Sequence, residues 1–363
     1  MNGTYMKQHA GRKAIMLLFV ACMMSILFLT AGCSSNEEAG SSANQPDNST
    51  EQNAEVPTEE SDEPSVSDND TAEQTENDPE PAVTSSPQQE GSGGFFWKMN
   101  NDETGATVFL LGSVHAASPD FYPLHQVIEQ SFDDSDVLAV EANIVDIDPL
   151  EAQQMLDAKA KLPDGMTLEQ KLDAETLAAL KEKLKAYGIL NFSFFNQYEP
   201  WYISMLIESF EIMNQGYDPE SGIDVHFLKA AGDKEIVELE GMEFQLDMFA
   251  GFSDEIQLML LESAMDEIAD HPEMIDELMT AWKQGDEEGM SKLLMSDYSD
   301  EEAYQTYMKK MLDDRNVGMV EKIEQFYAGD QNVFVVVGTA HYLGKAGIIQ
   351  LLQDKGYEVE KVL

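Results

Sequence analysis

Residues 34 to 94 hold 16 acidic side chains and no lysine or arginine, and they nearly lack large apolar residues. Such a stretch cannot bury enough apolar surface to offset the entropy of ordering it, so it predicts a disordered tether. Self-repelling carboxylates and scattered prolines favour an extended chain. Gly91-Ser92-Gly93-Gly94 closes the stretch, and Phe95-Phe96-Trp97 opens a region of ordinary apolar content. Any packed core therefore has to be built from residues 95–363, which suffice for one large domain or two coupled lobes.

Ahead of the tether, Lys7, Arg12 and Lys13 precede an apolar run from Ala14 to Thr30. A basic segment, an apolar segment and small residues before a cysteine predict a secretory signal peptide over residues 1–32. Leu29-Thr30-Ala31-Gly32-Cys33 resembles the lipobox of bacterial lipoproteins, with Thr30 where leucine is commonest. The competing reading is a transmembrane anchor, for which a run of about 17 residues is at the short limit. Lipidation at Cys33 is the expectation, with membrane lipid as partner and the domain held outside the bacterial cell membrane. Two acyl chains would give stable attachment. Cys22 lies in the segment to be removed and Cys33 is the lipid site, and the chain has no other cysteine. A cysteine nucleophile, a thiolate metal site and a disulfide framework are thereby excluded.

The net charge is −48. Residues 95–363 keep 53 acids against 18 bases, so nucleic acid, which needs basic patches, is not an expected partner. The acidity suits cationic partners or, more plainly, colloidal repulsion and solubility.

Within 95–363 the pattern predicts a hairpin, Phe95–Met99 and Thr107–Leu111 around a turn at Asn100–Gly105. Further strands are expected at Val137–Glu141, Ile236–Glu240, Val333–Val337 and Glu358–Leu363. Helical periodicity marks Pro123–Ser131, Glu175–Ala186, Trp201–Asn214, Asp254–Ile268 and Glu302–Phe326. The fold class is therefore α/β or α+β: a central mixed sheet from N- and C-terminal strands with a large helical insertion. The 21 methionines fall mostly on helical apolar faces, as core filler or as an adaptable peptide-binding surface.

Two segments echo each other. Val108 to Leu111 leads into Gly112-Ser113-Val114-His115, and Val333 to Val337 leads into Gly338-Thr339-Ala340-His341. Each motif glycine, Gly112 and Gly338, permits a tight turn where a strand stops and puts a histidine at the strand's carboxyl end. Ligands bind at that edge in open α/β sheets. Two imidazoles there can bind a metal or exchange protons. Glu141 and Glu240 close two other apolar runs. Each alone reads as a surface or capping carboxylate. Two histidines with a glutamate supply the nitrogen and oxygen ligands of catalytic divalent-metal sites.

GSVH at 112–115, Pro123-Leu124, the strand ending in Glu141, Gly222-Ile223-Asp224, Leu239-Glu240-Gly241, Arg315-Asn316 and GTAHYLGKAGIIQLLQDKGYEV from 338 together resemble the TraB/GumN family. That family includes pheromone-shutdown proteins and the Tiki metalloproteases. The resemblance covers essentially 95–363 and implies a metal-dependent hydrolase fold, shared distantly with erythromycin esterase-like proteins. In it, paired GxxH motifs and a glutamate form the active site. It carries His115, His341 and Glu141 over as the metal and catalytic set, Arg315 as the arginine late in the long helix, and Glu240 as a further acid. His125 departs from the proline often seen after Pro-Leu and receives no role. His226 and His271 fall on helical segments and read as surface or core residues.

A divalent ion (Mn, Co or Zn) held by His115, His341 and Glu141 would polarise a carbonyl and acidify water. With only the histidines as ligands, Glu141 becomes a general base. Arg315 can stabilise an oxyanion or grip a carboxylate, or it can simply pair with Asp313 or Asp314 on a helix surface. Gly344 and Gly347 precede the last helix, where backbone amides could meet an anion. Serine chemistry through Ser113 is the weaker competitor, because no Gly-x-Ser-x-Gly elbow occurs; phosphate-loop and dinucleotide fingerprints are absent. Two functions are expected to compete: a membrane-anchored metal-dependent hydrolase of peptides, and a peptide-sequestering signalling module without turnover.

Overall fold

The computed structural model describes residues 91–270, 273–295 and 301–363. The signal peptide, Cys33, the tether up to residue 90 and His271 lie outside the described residues.

The chain runs β1 (Phe96–Asn100), β2 (Thr107–Ser113), α1 (Gln126–Asp133) and β3 (Val137–Val140). Helices α2 (Pro149–Ala160), α3 (Leu168–Lys171), α4 (Ala174–Ala186), α5 (Pro200–Asn214) and α6 (Ile223–Ala230) lead to β4 (Glu235–Glu238). A second excursion holds α7 (Met242–Ala250), α8 (Asp254–Asp270), α9 (Glu273–Gln284), α10 (Glu287–Met295), α11 (Glu302–Met308) and α12 (Asp314–Tyr327). It returns to β5 (Val333–Gly338), α13 (Ile348–Asp354) and β6 (Glu360–Lys361).

The sheet order is β4-β3-β5-β2-β1-β6. The first four of these strands pair in parallel, and β1 pairs antiparallel with both β2 and β6. This is the mixed sheet expected, with helices concentrated between its early and late strands. Position in the sheet follows composition. Every residue of β3 and β5 is buried, as central parallel strands covered on both faces require. β4, whose terminal glutamates are exposed, takes the edge, where charge discourages further pairing. Phe334 on β5 anchors an aromatic core, with ring centroids 4.9 Å from Phe227, 5.5 Å from Phe132 and 6.0 Å from Phe96.

Several elements depart from the sequence pattern, most clearly in three places. The helix expected from Pro123 begins at Gln126, with His125 as its N-cap: His125 Nδ1 accepts from the Val127 amide at 3.3 Å. The long helix expected over Glu302–Phe326 is interrupted by a π-helical turn at Lys309–Asp313. The final strand shrinks to Glu360–Lys361, which pair with Lys98 and Trp97. Among the described residues no helix is long and apolar enough to cross a membrane.

Candidate active site

β5 lies between β2 and β3, with Ser113 opposite Gly338 and Val140 opposite Val336. Both Gly-x-x-His turns therefore leave the sheet side by side at its carboxyl edge, and Glu141 follows one residue after β3. The motif glycines serve by lacking a side chain rather than by adopting a left-handed backbone; neither has a positive φ. A Cβ on Gly112 would lie 2.8 Å from Thr339 Oγ1 and 3.0 Å from Phe95 Cβ. One on Gly338 would lie 3.3 Å from Glu141 Oε1, 3.3 Å from His115 Nε2 and 3.8 Å from His341 Cδ2. The three residues named as the metal set thus converge on Gly338. His341 Nε2 and Glu141 Oε1 are 3.9 Å apart.

Both imidazoles are held from behind. His115 Nδ1 is 3.2 Å from Asp224 Oδ2, an ion-pair contact between two buried groups. Asp224 sits in the first turn of α6, and that helix start presses so closely on the His115 backbone that a Cβ on Gly222 would lie 2.5 Å from the His115 carbonyl oxygen. His341 Nδ1 is 2.6 Å from Asn316 Oδ1, while Asn316 Nδ2 donates to the Ala346 carbonyl at 2.8 Å. The amide thereby presents its oxygen to the ring, so His341 carries its proton on Nδ1 and keeps the Nε2 lone pair for the cluster.

Arg315 is not on a helix surface. It is 6 % exposed; its Nε donates to Glu240 Oε1 at 2.8 Å, and its Nη2 donates to Glu141 Oε2 at 2.6 Å and Glu240 Oε2 at 2.7 Å. Nη1 donates to the Met311 carbonyl at 3.2 Å, inside the π-helical turn, which places the guanidinium two residues past a local break in helical pairing. Asp314 pairs instead with Lys309. Gln245 Nε2 bridges the two carboxylates at 3.1 Å and 3.2 Å, and the Gly338 amide donates to Glu141 Oε1 at 2.7 Å.

These contacts set the proton affinities. Burial alone would raise the Glu141 carboxyl, but Arg315 and the two histidines outweigh it and hold the pKa down at about 2. Burial, with Arg315 adding to it, pushes His341 down to about 3. Burial also acts to lower His115, but Asp224 more than compensates and its pKa is raised.

Asp224, Asn316 and Gln245 are the partners that the assignment of roles from sequence missed. The first two lie in the segments that carried the resemblance, and a role could have been sought there from the rule that a ligating imidazole needs an acceptor behind it. Gln245, on α7, left no signal in the sequence. A cleft of about 690 Å³ opens beside Glu240, lined also by Glu238, Gly241, Met155 and Phe244.

The donor chemistry fits a divalent ion: two imidazole nitrogens turned inward and one carboxylate oxygen. Three carboxyl side chains, Glu141, Glu240 and Asp224, face the single guanidinium of Arg315, a surplus of acidic groups that suits a bound cation. Among the described residues no three His, Cys, Asp or Glu side chains already stand in a complete metal-holding arrangement. Glu141 is drawn toward Arg315 through Oε2 while Oε1 faces the histidines.

The model of the TraB/PrgY/gumN family matches residues 95–361. The uncharacterized protein YbaP of Escherichia coli (strain K12) is 26 % identical over 246 residues, covering 67 % of this chain and 87 % of that protein. YbaP of Shigella flexneri matches with the same figures. No solved structure matches the chain.

Proposed function

This chain belongs to the TraB/PrgY/gumN family, and we propose that it is a metal-dependent hydrolase of peptides, held outside a bacterial membrane by a lipid on Cys33. The observation that carries the reading is the convergence of His115, His341 and Glu141 on Gly338, with each imidazole backed by its own partner.

His115 Nε2, His341 Nε2 and Glu141 Oε1 would hold the ion, with Mn, Co and Zn as candidates. A bound divalent ion supplies Lewis acidity toward a peptide carbonyl. Of the two roles open to Glu141, ligand is favoured over general base. A carboxyl held at about 2 is a poor proton acceptor at neutral pH, whereas its fixed negative charge suits a cation. Asp224 and Asn316 fix the ring orientations. Arg315 favours the ionised form of Glu141 and holds Glu141 and Glu240 in place; with its N–H groups committed to both, it acts by positioning rather than as the oxyanion donor. The cleft beside Glu240 is where a peptide would approach.

The test is the full chain incubated with a peptide library, with and without Mn²⁺, Co²⁺ or Zn²⁺. Metal-dependent cleavage that disappears in His115→Ala and His341→Ala is the expected result. Cleavage that survives both substitutions would sink the assignment. Peptide sequestration without turnover is the second reading, favoured by how far His115, Glu141, Arg315 and His341 are closed off, none more than 6 % exposed. Saturable peptide binding with no cleavage under any metal would select it. For the anchor, Cys33→Ala is expected to release the protein or leave an unprocessed precursor.

A further inference from the structure

We propose that the Ser113 hydroxyl donates to the carbonyl oxygen of the bond that this site attacks, an inference that rests on the hydrolase reading above. Ser113 is the last residue of β2 and is fully buried. It pairs in parallel register with Gly338, so the side-chain directions of both residues leave the same face of the sheet. Gly338 identifies that face as the one carrying Glu141, His115 and His341. Gly112, one residue earlier, points the other way, against Phe95 and Thr339. Ser113 Oγ therefore projects on the side of the reacting groups, where it has no hydrogen-bond partner among the described residues.

The fold satisfies buried hydroxyls elsewhere. Ser135, Ser204 and Ser209 each donate to a nearby carbonyl at 2.7 Å. A buried hydroxyl left without such a bond is costly, and its natural complement is an oxygen that arrives with a ligand. The chemistry of the cluster says which oxygen. Acceptors are plentiful: the carboxylates of Glu141 and Glu240 and the Nε2 side of His115. Donors are committed: Arg315 to Glu141, Glu240 and Met311, Gln245 to the two carboxylates, and the Gly338 amide to Glu141. Ser113 is the hydroxyl left to meet a carbonyl oxygen as its negative charge grows.

In the step assigned, water adds through its oxygen to the carbonyl carbon. The C–N bond then breaks, and the proton lost by the water leaves on the amine. Ser113 keeps its own proton and forms no covalent bond.

The experiment uses the full chain with the metal that supports turnover, on the library peptide that the wild type cleaves fastest. Ser113→Ala is expected to lower kcat by about 10²-fold with KM little changed, the loss typical of removing one oxyanion donor. Ser113→Thr, which keeps a hydroxyl, is expected to recover part of it. The variant should melt no lower than the wild type, because the substitution removes an unsatisfied buried group. It should also lose affinity for the phosphinic isostere of that peptide, in which the scissile amide is replaced, while KM for the peptide itself stays as before. An unchanged kcat in an otherwise active enzyme overturns this inference alone, and so does a kcat loss matched by a fall in melting temperature. A wild type that cleaves nothing under any metal overturns the hydrolase reading and this inference together.

Discussion

At the end of β2, His115 faces the buried carboxylate of Asp224; at the end of β5, His341 faces the amide oxygen of Asn316. The two turns share a motif, adjoin in one sheet and point at one spot, yet their proton affinities move in opposite directions. His115 is raised because Asp224 outweighs burial, and His341 falls to about 3 because burial and Arg315 act together. A carboxylate behind an imidazole orients the ring and also enriches its other nitrogen, whereas an amide only orients it. Under the proposed metal-site reading, the repeat would supply two ligands of unequal strength: His115 the stronger donor, His341 a ring locked in its neutral form.

The largest expected effect tests what the turns have in common. His115→Ala and His341→Ala should each reduce metal-dependent turnover by at least on the order of 10²-fold, since removing a proposed ligand should cost more than removing the partner behind one. Steady-state rates against the metal-free background check this. If one substitution is silent, the turns are not functional equivalents and the site reduces to a single histidine.

The next effect tests how they differ. Asp224→Asn makes the first turn resemble the second, and it should weaken metal affinity by about 10- to 100-fold, as removal of the partner behind a ligating histidine does. Asn316→Asp makes the second turn resemble the first and should not weaken affinity by that amount. Calorimetric titration with Zn²⁺ or Mn²⁺ reads both. Equal losses would mean that orientation alone matters and that the carboxylate adds nothing.

The glycines sharpen the same contrast in stability. Gly112→Ala drives a methyl against Thr339 Oγ1 at 2.8 Å and Phe95 Cβ at 3.0 Å, in a packed layer. Overpacking of that kind costs about 1–3 kcal/mol. Gly338→Ala meets side-chain atoms of Glu141 and His115 at 3.3 Å and of His341 at 3.8 Å, so it should melt closer to the wild type while losing more metal affinity. Melting curves and metal titration of the two variants should rank them in opposite order; the same order in both assays would remove the assignment of one glycine to the core face and the other to the site.

How legible this was depends on whether a feature is local. β2, β5 and both GxxH turns follow from apolar runs with a glycine at the end, so strand identity and the histidines could be read from the sequence. The order β3-β5-β2 could not, because it depends on a crossover that carries β5 past two helical excursions into the middle of the sheet. That crossover makes the two turns neighbours. The partners behind the rings come from α6 and α12, far along the chain, and hydrogen-bond pairing across such distances leaves no periodic trace. The π-helical turn at Lys309–Asp313 was likewise hidden, since a continuous apolar period over Glu302–Phe326 looks the same with or without it. The long signal was right about helix and wrong about the break that places Arg315.

The smallest effect comes from what holds the backbone of the first turn. Trp282 on α9 is fully buried, stacks on Phe121 at 5.3 Å and donates its indole N–H to the Gly112 carbonyl at 2.9 Å. The helical excursion thus clamps the first turn at the residue before Ser113, while the second turn is held through Asn316 and Ala346 by α12 and the segment after His341. Trp282→Phe keeps an aromatic ring but leaves the Gly112 carbonyl without its donor, a loss of about 1 kcal/mol that should lower the melting temperature by only a few degrees. Because the clamp acts on the turn and not on the ligands, metal affinity should stay within about threefold, less than half a tenfold step in free-energy terms. A variant with full thermal stability but much weaker metal binding would show that α9 tunes His115 directly. The asymmetry between the turns would then begin in the helical excursion as well as in the residue behind each ring.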